Sequence, residues 1–257
     1  MVLRNECLLA FLLLIWTVSL QAQTVTFGYE TKGNPPYYFK QQDDKSKHSG
    51  ATLDVLRIVA QRLNFNVAFI RLPWLRGLLN LKQNKIDGIF HASFKPKRIE
   101  YGLYPMKDGR VDTSHMLMVQ RYHLYTHRDS NLNWSGTKFE NVTGPIGALI
   151  GYAIVSDLKN YNIVTKESSS IRSLLNLVQS KRLIGLVNLE NMTDPLLKGS
   201  SDLNGIIKIS PAVKEKAYFL MLSHGFYEHS PKLAKAIWNE IKAIKMTGKY
   251  QQILNSY

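Results

Sequence analysis

The chain has 257 residues, 45% hydrophobic and 20% charged, with nine prolines and 16 glycines: an ordinary globular composition, long enough for one large domain or two lobes with cores of their own. A single cysteine, Cys7, excludes a disulfide framework and a cysteine-ligated metal. The formal net charge is +14, yet the cations are scattered from Lys40, Lys45 and Lys47 to Lys232 and Lys235, with no basic run to track a phosphate backbone, so nucleic acid is not an expected partner.

At the amino terminus Met1 to Glu6 carries Arg4, Cys7 to Leu20 is almost wholly apolar, and Gln21-Ala22-Gln23 places a small residue at a cleavage point. This is the layout of a secretory signal peptide over residues 1–22. About 14 apolar residues fall short of the roughly 20 that span a bilayer. Cys7 stands at the start of the apolar core, where a lipoprotein cysteine would follow it. The expectation is a cleaved chain exported to the periplasm.

Val25 to Glu30 reads as a strand, and Pro35-Pro36 interrupts regular structure after it. Leu53, Leu56, Val59, Ala60 and Leu63 fall at helical spacing, with Asp54 in the first turn where the helix dipole favours it. Asn66 to Leu72 alternates as a strand, Pro73 opens a helix carrying Leu75, Leu78 and Leu79, and Ile86 to Phe90 is a third strand. Strands alternating with helices predict parallel pairing with right-handed crossovers. The order then recurs: Pro145 to Ile150, Ala153 to Asn160, Ile163 to Lys166, Ile171 to Gln179 and Leu183 to Glu190. Between the copies, Ser114 to Tyr125 reads as a long strand and a first crossing. A second crossing near Val213 to Ala217 returns the chain to a strand at Tyr218 to Leu222 and to a helix capped by Ser230-Pro231 and ended by Gly248. The predicted architecture is α/β with two lobes, residues 24–117 with 218–257 and residues 118–217, each a mostly parallel sheet flanked by helices and joined by two crossings.

Several segments carry a resemblance: Asn34-Pro35-Pro36-Tyr37, the Gly50 to Leu63 helix, Pro73-Trp74-Leu75-Arg76, Lys85-Ile86-Asp87-Gly88, Ser93-Phe94-Lys95-Pro96-Lys97-Arg98, Tyr101 to Pro105, Gly144 to Gly151 and the Pro231 to Tyr250 tail. In this order and spacing the chain resembles the bacterial extracytoplasmic solute-binding proteins of family three, the polar amino-acid uptake type. The resemblance implies a type II-like periplasmic binding fold whose lobes close on a small polar or anionic solute, an amino acid or related carboxylate. It also implies delivery to an ABC-type permease or a membrane sensor, by a chain expected to be a monomer.

The resemblance implies site residues too. Arg98 matches the arginine that clamps a ligand carboxylate, a bidentate fork that lysine lacks, and Ser93 matches a backbone and hydroxyl donor. Tyr37 and Trp74 stand where aromatic groups line the cleft, Arg76 follows a Trp-x-Arg pattern of a related subgroup, and Tyr152 and Ser156 match donors of the second lobe. The sequence also departs from the family. Lys95 stands where threonine is common, and Ile184 and Leu189 replace acids on the strand that supplies a partner for the ligand's ammonium group, leaving Glu190 one residue late.

Enzymatic relatives, a dehydratase and the sensor-like lobe of some lyases, define an alternative that needs a poised acid or base. Only Glu190 and His91 offer one, and no nucleophile is paired to a base, so the expectation is binding without catalysis and without a cofactor. His91 is expected to be a satisfied histidine. His123 and His127 have the spacing of a metal pair on one strand face but no third ligand nearby, and are expected to be surface histidines with no metal.

Overall fold

The computed structural model describes residues 22–40 and 50–257, so the expected signal peptide lies outside the described residues except for Ala22. The first unit runs β1 (Thr24–Glu30), α1 (Ala51–Arg62), β2 (Asn66–Leu72), α2 (Trp74–Lys82) and β3 (Gly88–Ser93). β1 pairs in parallel with β2, from Thr24 opposite Asn66 to Glu30 opposite Leu72, and in parallel with β3. All six residues of β3 are buried, as in a strand covered on both faces.

Helix α1 buries the periodic residues Leu53, Leu56, Val59 and Ala60. Its entry requires Gly50: φ is +127°, and a Cβ there would stand 2.4 Å from the Tyr38 Cα. α2 packs its Trp74, Gly77, Leu78 and Leu81 face inward. Leu75 and Leu79, expected on that face, are exposed instead, because the close approach of Ile89 over Gly77 rotates the buried stripe.

A 3₁₀ turn (Pro96–Glu100) and a small hairpin of β4 (Met106–Lys107) with β5 (Arg110–Val111) lead to β6 (Met118–His127). After a hairpin of β7 (Asn133–Trp134) with β8 (Phe139–Glu140), the second unit runs β9 (Ile146–Leu149), α3 (Ile154–Asn160), β10 (Thr165–Ser168), α4 (Ile171–Gln179) and β11 (Gly185–Leu189). Ser170 caps α4 by accepting from the Ser173 N–H. α5 (Glu190–Lys198), β12 (Ile206–Leu222), α6 (His224–His229), α7 (Pro231–Met246) and α8 (Lys249–Leu254) complete the order.

The main sheet runs β10-β9-β11-β6-β12-β3-β1-β2. Each end repeats one arrangement: β1 lies between β2 and β3 as β9 lies between β10 and β11. The antiparallel pair β6 and β12 joins the two ends, and β12 also pairs with β3. This is the two-lobe α/β architecture with two crossings.

Further details differ from the sequence reading, among them the strand expected from Ser114 to Tyr125, which begins only at Met118 after a 3₁₀ turn at Thr113–His115 and runs to His127. The strand expected at Tyr218 to Leu222 is the end of a 17-residue strand. Glu190 starts α5 rather than ending a strand, and Pro195 inside that helix removes the sequence signal for it. The Ser230 side chain makes no cap bond, so Pro231 alone marks the start of α7.

Candidate functional site

The carboxyl ends of β1, β3 and β11 and the segment after β9 converge on one cavity, the place where parallel α/β sheets present ligand sites. Its empty space is about 350 Å³ including the mouth, and the side chains close in until the interior holds about 20 Å³, roughly the room of one water.

Arg98 lies in the 3₁₀ turn after β3 and is 5% exposed. Its Nη1 donates to the Ser93 carbonyl at 2.7 Å and to Ser93 Oγ at 3.0 Å, and its Nη2 donates to the Gly151 carbonyl at 3.1 Å. The guanidinium sits 5.1 Å from the centre of the Trp74 ring, a cation–π contact. The Tyr104 hydroxyl also donates to the Ser93 carbonyl, and burial pushes its pKa up to about 12.

Glu30, at the end of β1, is 3% exposed. Its Oε1 accepts from Thr31 Oγ1 at 2.8 Å and from the Lys32 N–H and Nζ at 3.3 Å, and its Oε2 accepts from the Trp74 N–H at 3.2 Å. Trp74 thus touches both charged groups of the wall.

His91 belongs to β3 but has φ +61°, an unusual backbone for a residue with a Cβ, on the segment where the pairing with β12 shifts register. Its Nε2 is 2.9 Å from Thr52 Oγ1 and its Nδ1 is 3.4 Å from Asn34 Nδ2. Burial lowers its pKa to about 3, so the imidazole is neutral at ordinary pH. Tyr122 and Tyr218 share a 2.7 Å hydroxyl contact, and burial pushes Tyr218 up to about 12. These tyrosines are neutral too.

Of the residues expected from sequence, Trp74, Ser93, Arg98 and Tyr152 line this cavity. Tyr37 lies just behind it, edge-on to His91 at 5.3 Å, and the neighbouring Tyr38 takes the wall. Ser156 accepts from Lys95 Nζ at 2.6 Å, a contact between the two lobes. Desolvation, then the Arg98 charge, lowers the Lys95 pKa. Arg76 is exposed on α2 and outside the wall. Glu190 is turned away, into a network with Lys208 at 2.8 Å, His123 at 3.3 Å and Arg121 at 3.4 Å, while Leu189 and Met192 take the wall.

His123 is a correction: it is 6% exposed rather than on the surface, with Nδ1 at the Ile209 carbonyl and Nε2 facing Glu190 between the crossing strands. Sequence reasoning missed Glu30, Asn34, Tyr122 and Tyr218. For Glu30 the available signal was its place at the carboxyl end of a parallel strand. Among the described residues no group of three His, Cys, Asp or Glu could hold a metal, and no helix is long and apolar enough to cross a membrane.

Two α/β lobes, two crossing strands and a polar cavity at the strand ends define the class of two-lobe solute-binding folds. The chain belongs to the bacterial extracellular solute-binding proteins, family 3, whose sequence profile matches residues 25–257. Among curated proteins no sequence match is found. A histidine kinase sensor domain with similarity to periplasmic binding proteins superposes with TM-score 0.72 at 16% identity, covering 92% of this chain and 96% of that one. A mutant of ArgBP from T. maritima gives 0.70 at 15% identity, covering 91% and 94%. An ABC uptake transporter substrate-binding protein from Streptococcus pneumoniae with bound histidine gives 0.70 at 18% identity, covering 91% and 92%. At these identities the likeness shows the fold.

Proposed function

We propose that the protein captures a small polar solute with a carboxylate group, an amino acid or a related acid, between residues 24–117 with 218–257 and residues 118–217, and carries out no chemistry on it. Arg98 is the anchor, with Ser93, Trp74 and Tyr152 as further contacts. The observation that carries this reading is a buried guanidinium in the cavity wall whose protein acceptors are all neutral oxygens. A carboxylate there forms the charge-assisted, two-pronged bond that such a fork favours. The family's extracellular setting and the signal-like residues 1–22 support export, and delivery to an ABC-type permease is the corresponding physiological step. The binding-only reading is supported by the wall's candidate bases: Glu30 is engaged by four donors, and His91 is held by Thr52 and Asn34.

The test is mass spectrometry of small molecules released when the purified protein is denatured. A carboxylate is expected from the wild type and not from Arg98→Ala. A released solute without an acidic group would contradict the anchor.

A further inference from the structure

Two groups of the cavity wall carry full charge, Glu30 and Arg98, and their charges are met differently. Glu30 takes four donors at 2.8–3.3 Å, and the Lys32 ammonium among them supplies its counter-charge. A carboxylate accepts about four hydrogen bonds, so Glu30 is saturated. Arg98 donates to the carbonyls of Ser93 and Gly151 and to Ser93 Oγ, all neutral, and no carboxylate pairs with it among the described residues. Nearby Lys95 adds positive charge and likewise meets a neutral oxygen, Ser156 Oγ. The wall itself therefore holds one uncompensated charge, that of Arg98, and it is positive.

The remaining wall tells what else the solute carries. From the second unit come Tyr152, Ala153, Leu189 and Met192, none of them an acid to meet an ammonium group. Two buried polar atoms of wall residues lack partners, the donor Trp74 Nε1 and the acceptor Asn34 Oδ1. An oxo group accepts from the first, and a hydroxyl group suits either. Burying an ammonium group against this wall leaves a desolvated cation without a free counter-charge, which opposes binding.

We infer that the solute is a small monocarboxylate of net charge −1 bearing a neutral 2-oxo or 2-hydroxy group, rather than a zwitterionic α-amino acid. This rests on the binding reading above and names its solute class.

Titration calorimetry on the mature protein with matched acids tests it: pyruvate and L-lactate against L-alanine, 3-methyl-2-oxobutanoate against L-valine, and phenylpyruvate against L-phenylalanine. At least one oxo or hydroxy acid is expected to bind tenfold or more tightly than its amino acid, with the binding lost in Arg98→Ala. An amino acid that binds as tightly or more tightly, with the same dependence on Arg98, overturns this inference and leaves the binding reading intact. Absence of Arg98-dependent binding by every compound overturns both. Leu189→Asp adds one negative charge to the wall and brings its balance to zero, so the preference is expected to reverse toward the amino acid. A folded variant, checked by circular dichroism, that keeps the wild-type preference overturns the charge argument, and the wild-type titrations decide by themselves if the variant does not fold.

Discussion

Arg98, Ser93, Trp74 and Tyr152 meet around the cavity because the turn after β3 and the segment after β9 both end there, and the motif Ser93 to Arg98 made the first two of these candidate-site positions visible in sequence. Glu30 was missed despite its place at a strand's carboxyl end, since an acid there looks like a solvated terminus until the sheet buries it. His91 gives a prediction at this scale. Its folded pKa, about 3, lies below the ordinary value of 6.5, so between these values the unfolded chain binds more protons and stability rises with pH. The His91 contribution is complete above pH 6.5 and is lost as pH falls toward about 3. Relative to His91→Gln, the wild type is expected to lose up to about 1.4 kcal/mol per pH unit in that window. Urea denaturation of both proteins from neutral to acid pH checks it, and parallel curves would count against a buried neutral imidazole.

Among the elements, α1 and α4 follow from periodicity because most of their apolar residues serve one buried face, as Leu53, Leu56 and Val59 do in α1 and Leu174, Leu175 and Val178 in α4. The part of β12 before Val213 escaped because Lys208, Ser210 and Pro211 break any apolar alternation, and a crossing strand between two lobes has little core to face. Pro195 hid α5 in the same way. Gly50 lets the start of α1 lie against the Asn34 to Tyr38 loop, where the Ala51 and Thr52 N–H groups donate to the Pro36 and Tyr37 carbonyls, and so helps hold Asn34 and Tyr38 in the wall. Gly50→Ala forces a side chain against the Tyr38 backbone at positive φ and is expected to cost at least about 2 kcal/mol. Thermal and urea unfolding measure it, and a change below about 0.5 kcal/mol would show that the turn relaxes freely.

At the scale of the whole molecule, polar contacts away from the crossing strands tie the lobes across the cavity: Arg98 to Gly151, Lys95 to Ser156, and Asn191 Nδ2 to the Pro35 carbonyl at 3.1 Å. With so little interior space, entry of a solute requires the lobes to part about β6 and β12, a hinge movement of the kind that closes such folds on ligands. Lys95→Ala removes one tie, and a larger radius of gyration by small-angle scattering is the expected result, with added solute restoring the wild-type value. An unchanged radius in both conditions would mean that Lys95 does not help hold the lobes together. The two-lobe plan itself was legible, because the strand–helix order occurs twice in the sequence.

The measurement closest to the central claim is titration calorimetry of the wild type, Arg98→Ala and Arg98→Lys with the carboxylate released from the purified protein. Removing the buried fork while the ligand's carboxylate stays unpaired is expected to cost about 2–5 kcal/mol, a loss of at least about thirtyfold in affinity, and lysine is expected to recover only part of it. Circular dichroism should show both variants folded. Affinity of Arg98→Ala within about twofold of the wild type would contradict the carboxylate anchor and the function built on it.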